Sequence, residues 1–267
     1  MIKMVVTDVD GTLVKESTLN INPEYFDVIR ALTEKGIKVV MASGRQYESI
    51  RRLIEPVQDL VWYIADGGAT MKMDNGLEVV AEIPREWVKK AWQDISNIPG
   101  MDCALGTPEK SYVPFGDTEL YHRAKYDYKF NVEVLGGWDK LPNEAISKLS
   151  LYRPTEIERY TDKYFIPKWD GKLHMSIAGE WWLDCVMPGV NKGTALQKIM
   201  DITGIKAHEV MATGDNPNDL EMIKLAGTGL AVATAHPLVK KAAKGIIPSY
   251  TDEGVLQEWK KLLEGME

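Results

Sequence analysis

The chain is poor in cysteine, has no basic run and has no long apolar stretch, and each shortage removes a class of protein. Cys103 and Cys185 are the only cysteines in 267 residues and show no metal-ligand spacing. They fit two inert thiols in a reducing compartment, with a single disulfide as the open alternative. No segment approaches the roughly 20 apolar residues that span a bilayer, and the first residues run into a strand pattern without the marks of a signal peptide. A cytoplasmic protein is therefore expected. A formal charge of −7 without a basic cluster argues against nucleic acid or an anionic membrane as the main partner. Any anionic substrate would need local cations. Internal repeats and low-complexity segments are also absent.

What is present is a chain with 45% hydrophobic residues, long enough for one large or two modest domains. Strand and helix patterns alternate from the start. Met4-Val5-Val6-Thr7 reads as a strand. Asn22 as cap and Pro23 at the first helical position predict a helix over about 23 to 35, stopped by Gly36. Ile37 to Met41 reads as a second strand, residues 46 to 55 as a helix closed by Pro56, and Val61 to Ala65 as a third strand. Such alternation predicts a doubly wound α/β core with a parallel sheet and right-handed crossovers.

From about Ile83 the texture changes. Six of the eight tryptophans, Trp87, Trp92, Trp138, Trp169, Trp181 and Trp182, fall in the next hundred residues. Leu173 to Ile177 and Trp181 to Val186 resemble paired strands across Ala178-Gly179-Glu180. The expected organisation is a discontinuous core, residues 1–82 and 187–267, with an inserted α+β cap over 83–186. The doubly wound pattern resumes with a helix after Lys192, a strand at Val210 to Thr213, a helix after Asn216 and a short strand at Leu230 to Val232.

The strand ends carry the chemistry. In Thr7-Asp8-Val9-Asp10-Gly11-Thr12 an apolar strand stops in two carboxylates and a glycine, which places acids at the carboxyl edge where open α/β sheets bind ligands. Asp8, ionised at neutral pH, is suited to attack phosphorus without a base. Asp10 can offer its side chain as acid and base, its carbonyl to a cation, or both. Ser43 and Gly44 follow the second strand and would cradle a phosphate oxygen with a hydroxyl and backbone N–H groups, although Ser43 also reads as a helix cap. Arg45 reads equally as a nearby cation or a surface residue. Lys192, in Pro188-Gly189-Val190-Asn191-Lys192-Gly193-Thr194, would balance charge developed in transfer. In Gly214-Asp215-Asn216-Pro217-Asn218-Asp219, helix capping accounts for Asn216 and Asp219 and leaves Asp215 as a third metal-side carboxylate. Asp8, the Asp10 carbonyl and Asp215 would form an oxygen shell for Mg2+, with Asp219 behind them.

Together, Asp8-Val9-Asp10-Gly11-Thr12, Ser43-Gly44-Arg45, Asn191-Lys192-Gly193 and Gly214-Asp215-Asn216-Pro217-Asn218-Asp219 resemble, in order, the four motifs of haloacid dehalogenase superfamily phosphatases, with the Cof-like branch the nearest look. The resemblance implies Asp8 as nucleophile, Asp10 as acid/base, Ser43 and Lys192 as phosphate and charge holders, and Asp8, Asp10 and Asp215 as magnesium ligands. Asn218 and Asp219 would support the site, Asn218 on the phosphate. Two departures stand out: Ala65-Asp66-Gly67-Gly68-Ala69 has Gly67 where that family usually has asparagine, and Val232-Ala233-Thr234-Ala235 replaces a common Met-Gly-Asn-Ala run.

The expected activity is Mg2+-dependent hydrolysis of a small phosphorylated metabolite, a sugar phosphate or a cofactor or nucleotide phosphate. A phosphomutase and a non-catalytic phosphate-sensing module are the alternatives. In the cap, Trp181, Trp182, Tyr112 and Tyr121 would either stack on a substrate ring or fill the core, and His122, Arg123 and Lys125 would either contact substrate or face solvent.

Overall fold

Strands covered on both faces read as unbroken apolar runs, and the first half of the chain is built on such runs. The computed structural model describes residues 1–15, 18–177 and 180–266. In chain order its strands are β1 (Met4–Thr7), β2 (Lys38–Ala42), β3 (Val61–Ala65), β4 (Thr70–Met73), β5 (Gly76–Val79), β6 (Asp102–Gly106), β7 (Ser111–Val113), β8 (Val132–Val134), β9 (Lys148–Tyr152), β10 (His174–Ile177), β11 (Trp182–Val186), β12 (Val210–Gly214), β13 (Thr228–Val232) and β14 (Gly245–Ile247). The chain divides into two compact units, Met1–Gly76 with Asn191–Glu267, and Leu77–Val190.

The first unit is the expected doubly wound α/β fold. Its sheet runs β14-β13-β12-β1-β2-β3-β4, with parallel pairing from β14 through β3. Every residue of β1, β3 and β12 is buried. The order climbs one way from β1 and the other way from β12, so the topological switch lies between these neighbours. Their register, Thr7 opposite Thr213, brings the ends of both strands to one crevice.

Local structure refines the sequence expectations in three places. Pro23 is the cap residue of the helix Glu24–Glu34 rather than its first turn, and Asn22 Oδ1 accepts from the Glu24 N–H at 3.0 Å. Pro56 does not end the chain's coiling: after the helix Tyr47–Leu53 it opens a 3-10 turn, Glu55–Leu60, because proline needs no N–H at the start of a turn. Finally, β4 is antiparallel to β3, a departure from a purely parallel sheet that Thr70-Met71-Lys72-Met73 gave no pattern to announce.

The second unit is an α+β sandwich on a sheet ordered β10-β11-β9-β6-β7-β8, antiparallel except for the parallel β7–β8 pair. Trp92 and Ile95 of the helix Arg85–Ser96, with Ile157, Phe165 and Trp169, pack on Cys103, Leu105, Leu149, Leu151, Leu183 and Cys185 of the sheet. Both cysteines are free and buried. Trp92 and Trp169 are therefore core residues. β10 and β11 pair antiparallel as expected, while the turn at Ala178-Gly179 lies outside the described residues. Among the described residues no helix is long and apolar enough to cross a membrane.

Candidate active site

A buried strand expels charge along its length but not at its end, so the carboxyl edge of β1 and β12 collects acids. Asp8 follows β1 directly and its N–H donates to the Thr213 carbonyl at 2.9 Å, which extends the ladder by one residue and fixes the backbone of a residue only 4% exposed. Gly11 then turns with φ +78°, and a Cβ there would lie 2.4 Å from Asp215 Oδ2. Glycine is what lets the turn after β1 approach the acid after β12.

Lys192 joins the two strand ends. It is the first residue of the helix Lys192–Thr203, whose start is set by reciprocal bonds between Asn191 and Thr194: Asn191 Oδ1 accepts from the Thr194 N–H at 2.9 Å, and Thr194 Oγ1 from the Asn191 N–H at 3.0 Å. Its Nζ donates to Asp8 Oδ1 and to Asp219 Oδ1, each at 2.6 Å, with the side chain 1% exposed. The far oxygen of Asp219 accepts from the N–H groups of Asp215 and Asn216, both at 3.0 Å. Asp219 thus holds the lysine with one oxygen and the backbone around Asp215 with the other. Thr12 Oγ1 donates to Asp215 Oδ1 at 3.1 Å.

These acids do not sit at rest as carboxylates in water. Burial pushes Asp8 well up from the usual carboxylate range, the charges of Asp219 and Asp215 add to this, and Lys192 pulls the other way. Asp215 is pushed up to about 6, first by burial and then by Asp219. Burial works against the charge of Lys192, but Asp219 and Asp8 outweigh it and hold the ammonium more firmly protonated than usual. Asp8, Asp215 and Asp219 offer oxygens within 4.8 Å of one another. Three carboxylates against one ammonium leave two negative charges, which one divalent cation balances. An all-oxygen anionic donor set suits a hard cation.

The second acid of the strand-end motif is held by an arginine. Asp10 takes a two-pronged bond from Arg45, Nε to Oδ2 at 2.7 Å and Nη2 to Oδ1 at 2.5 Å, while Nη1 reaches the Thr18 carbonyl at 2.9 Å. Arg45 is 5% exposed. It is neither a surface residue nor a loose cation, and its signal in the sequence was its position two residues after Ser43. Ser43 is buried, and its Oγ accepts from the Arg45 N–H at 3.1 Å, while Gln46 caps the next helix. Gly67, in the usual asparagine's place, donates its N–H to the Ser43 carbonyl at 2.9 Å. Gly44 lies half-buried between Ser43 and Arg45, and Asn218 is exposed on the turn Pro217–Asp219. Asp8, Lys192, Asp215 and Asp219 thus form one bonded cluster, and Arg45 holds the Asp10 carboxylate.

A doubly wound sheet with acids and a buried ammonium at its switch point suits chemistry on an anionic ligand bound with a cation. Residues 5–258 match the family described as haloacid dehalogenase-like hydrolase, and the chain belongs to that family. It is 26% identical over 280 residues to the 5-amino-6-(5-phospho-D-ribitylamino)uracil phosphatase YbjI of Escherichia coli (strain K12), covering 98% of this chain and 97% of that one. A crystal structure from Eubacterium rectale superimposes with a TM-score of 0.89 at 34% identity, covering 98% of this chain and 99% of the other. A HAD subclass IIB sugar phosphatase shares the fold, with a TM-score of 0.82 at 24% identity over 97% and 98% of the two chains. The protein is a phosphatase.

Proposed function

We propose that this phosphatase hydrolyses small phosphomonoesters with Mg2+ through an aspartyl-phosphate on Asp8, in the cytoplasm, and that residues 83–186 form a cap that selects the alcohol. The observation that carries the reading is Lys192, bonded at once to Asp8 and Asp219 beside Asp215. A buried ammonium on one oxygen of Asp8 orients the carboxylate and leaves it a second oxygen for attack.

In the first step Asp8 forms a bond to phosphorus, the phosphorus–oxygen ester bond breaks, and the leaving oxygen takes a proton from Asp10. In the second, water attacks the acyl phosphate, Asp10 accepts its proton, and inorganic phosphate leaves as Asp8 is restored. Arg45 fixes where the Asp10 carboxylate stands when it serves as base. Lys192 offsets charge on the phosphoryl oxygens in both steps, and Ser43, Gly44 and Asn218 are the proposed phosphate contacts. Asp8, the Asp10 carbonyl and Asp215 would hold Mg2+, with Asp219 supporting them. When bound, the cation would neutralise phosphoryl charge and template the transfer.

The substrate class proposed is a sugar phosphate or a cofactor or nucleotide phosphate. The Escherichia coli relative, named for a ribityl phosphate that bears a uracil ring, belongs to that range. The test is phosphate release from p-nitrophenyl phosphate with and without Mg2+. Asp8→Asn should lower the rate by about 10³-fold or more, and a variant that kept a substantial Mg2+-dependent rate would sink the assignment.

A further inference from the structure

The turn after β3, Asp66-Gly67-Gly68, supplies no side chain to phosphoryl transfer, yet its backbone is held in an unusual shape. Its three residues have φ of +52°, +68° and +108°, and no other three successive residues among the described residues lie in the left-handed region. Glycine takes such a backbone freely, whereas a residue with a Cβ, as Asp66 is, keeps it only where the surroundings impose it. On one side those surroundings are the loop after β2. Beyond the last pair of the β2–β3 ladder, Ala42 with Ile64, the Ser43 N–H donates to the Ile64 carbonyl at 2.8 Å, the Asp66 N–H to the Arg45 carbonyl at 2.9 Å and the Gly67 N–H to the Ser43 carbonyl at 2.9 Å. Three backbone bonds thus anchor the turn to Ser43-Gly44-Arg45.

On its other side the turn meets the start of the helix that carries Lys192. A Cβ added to Gly68 would lie 2.4 Å from the Asn191 carbonyl oxygen, 2.5 Å from its carbon and 3.0 Å from the Lys192 nitrogen. These are backbone atoms, which cannot swing aside as the end of a side chain can. Gly67 differs: a Cβ there would meet nothing within 4 Å. The close approach therefore belongs to Gly68 alone. Lys192 has little slack with which to absorb a shift of its own backbone, since its side chain is 1% exposed and its Nζ stands 2.6 Å from both Asp8 and Asp219. A displaced helix start would pull the ammonium off one carboxylate or the other.

We propose that Gly68 is a positioning residue for catalysis: the turn, anchored on the Ser43–Arg45 backbone, seats the start of the helix Lys192–Thr203 so that the ammonium reaches Asp8 and Asp219 together. Only glycine permits the contact, because it combines a left-handed backbone with the absence of a Cβ at the point where two backbones touch. The inference rests on Lys192 acting on Asp8 and the phosphoryl group as described above.

The test compares three alanine variants of the full chain, with Mg2+ and p-nitrophenyl phosphate, below their melting temperatures. Gly36→Ala strains a positive φ of +80° with nothing within 4 Å, before β2 and so at the opposite end of that strand from Ser43, and should keep the wild-type kcat. Gly67→Ala strains the same turn without the collision and should lose about threefold or less. Gly68→Ala should lower kcat by about 100-fold, the cost of a misplaced catalytic group, with KM held within about threefold. Its Ki for vanadate, a copy of the five-coordinate transition state, should rise in step with the fall in kcat, while the Ki for inorganic phosphate stays nearly constant. In a Lys192→Met background, Gly68→Ala should cost about threefold or less, because the ammonium it displaces is gone. Should Lys192→Met fail to fold, the split between vanadate and phosphate carries the test. A lowered melting temperature with kcat and both Ki values unchanged, a Gly67→Ala loss equal to that of Gly68→Ala, or the full loss repeated without Lys192 would overturn the positioning role. Absence of Asp8-dependent turnover in the unsubstituted protein would instead overturn the phosphatase mechanism, and the role of Gly68 with it.

Discussion

Both units bury a lysine against aspartate, and they do so by different routes. In the first unit Lys192 meets Asp8 and Asp219 at 2.6 Å at the carboxyl ends of parallel strands. In the second, Lys148, the first residue of β9, meets Asp184 of the antiparallel neighbour β11 at 3.3 Å. A parallel sheet covered on both faces has no room for charge except where its strands stop, whereas an antiparallel sheet can give one face to apolar packing and the other to polar groups. The first arrangement concentrates charge at a point suited to chemistry on one atom, and the second spreads polar groups along one face of a sheet.

The two lysines should therefore respond differently to the same substitution, and this is the largest effect expected. Lys192→Met strands Asp8 and Asp219 in a buried site, so the metal-free protein should lose about 3–5 kcal/mol of stability, and turnover of p-nitrophenyl phosphate should fall by about 10³-fold. Lys148→Met leaves a carboxylate that is less buried and still bonded to Ser150; a loss of about 1 kcal/mol is expected, with p-nitrophenyl phosphate turnover kept. Denaturant unfolding of both variants, beside their rates, checks the contrast. Equal stability losses would mean that the two pairs have the same structural role.

The same contrast decides what could be read from sequence. Asp8, Ser43 and Asp215 were legible because each directly follows an apolar run, so strand and acid or hydroxyl are neighbours in the chain. Lys192 was legible only beside them, since a lysine at a helix start is common and its partners lie 184 and 27 residues away. Arg45 was left open because its bond to Asp10 depends on how the turn after β1 aims a side chain, which spacing does not encode. The Ser176–Asp184–Ser150 row was invisible for a related reason. Within each strand those residues merely alternate with apolar ones, and a row exists only once the register of three strands is set. The inserted segment's tryptophans announced a change of texture, but which of them filled the core, as Trp92 and Trp169 do, depended on the packing of helices on one face.

A pH dependence tests whether charge is concentrated at the strand ends strongly enough to cost stability. Asp215 is pushed up to about 6 from an ordinary 3.8, first by burial and then by Asp219. A carboxyl whose folded pKa is raised contributes stability that is fully present below its unfolded value and is lost as pH rises through the folded one. The metal-free protein should thus lose on the order of 3 kcal/mol from this group between about pH 4 and pH 6. Asp215→Asn removes the charge and keeps an oxygen to accept from Thr12. Without metal, the variant should melt above the wild type at pH 7, and the gap should close toward pH 4. Saturating Mg2+ should reverse the order at pH 7, because a cation bound by the wild type stabilises it by mass action while the variant has lost a ligand. A gap independent of pH would mean that burial at this strand end carries no electrostatic cost. The acid cluster would then differ from the polar row of the second unit in position alone.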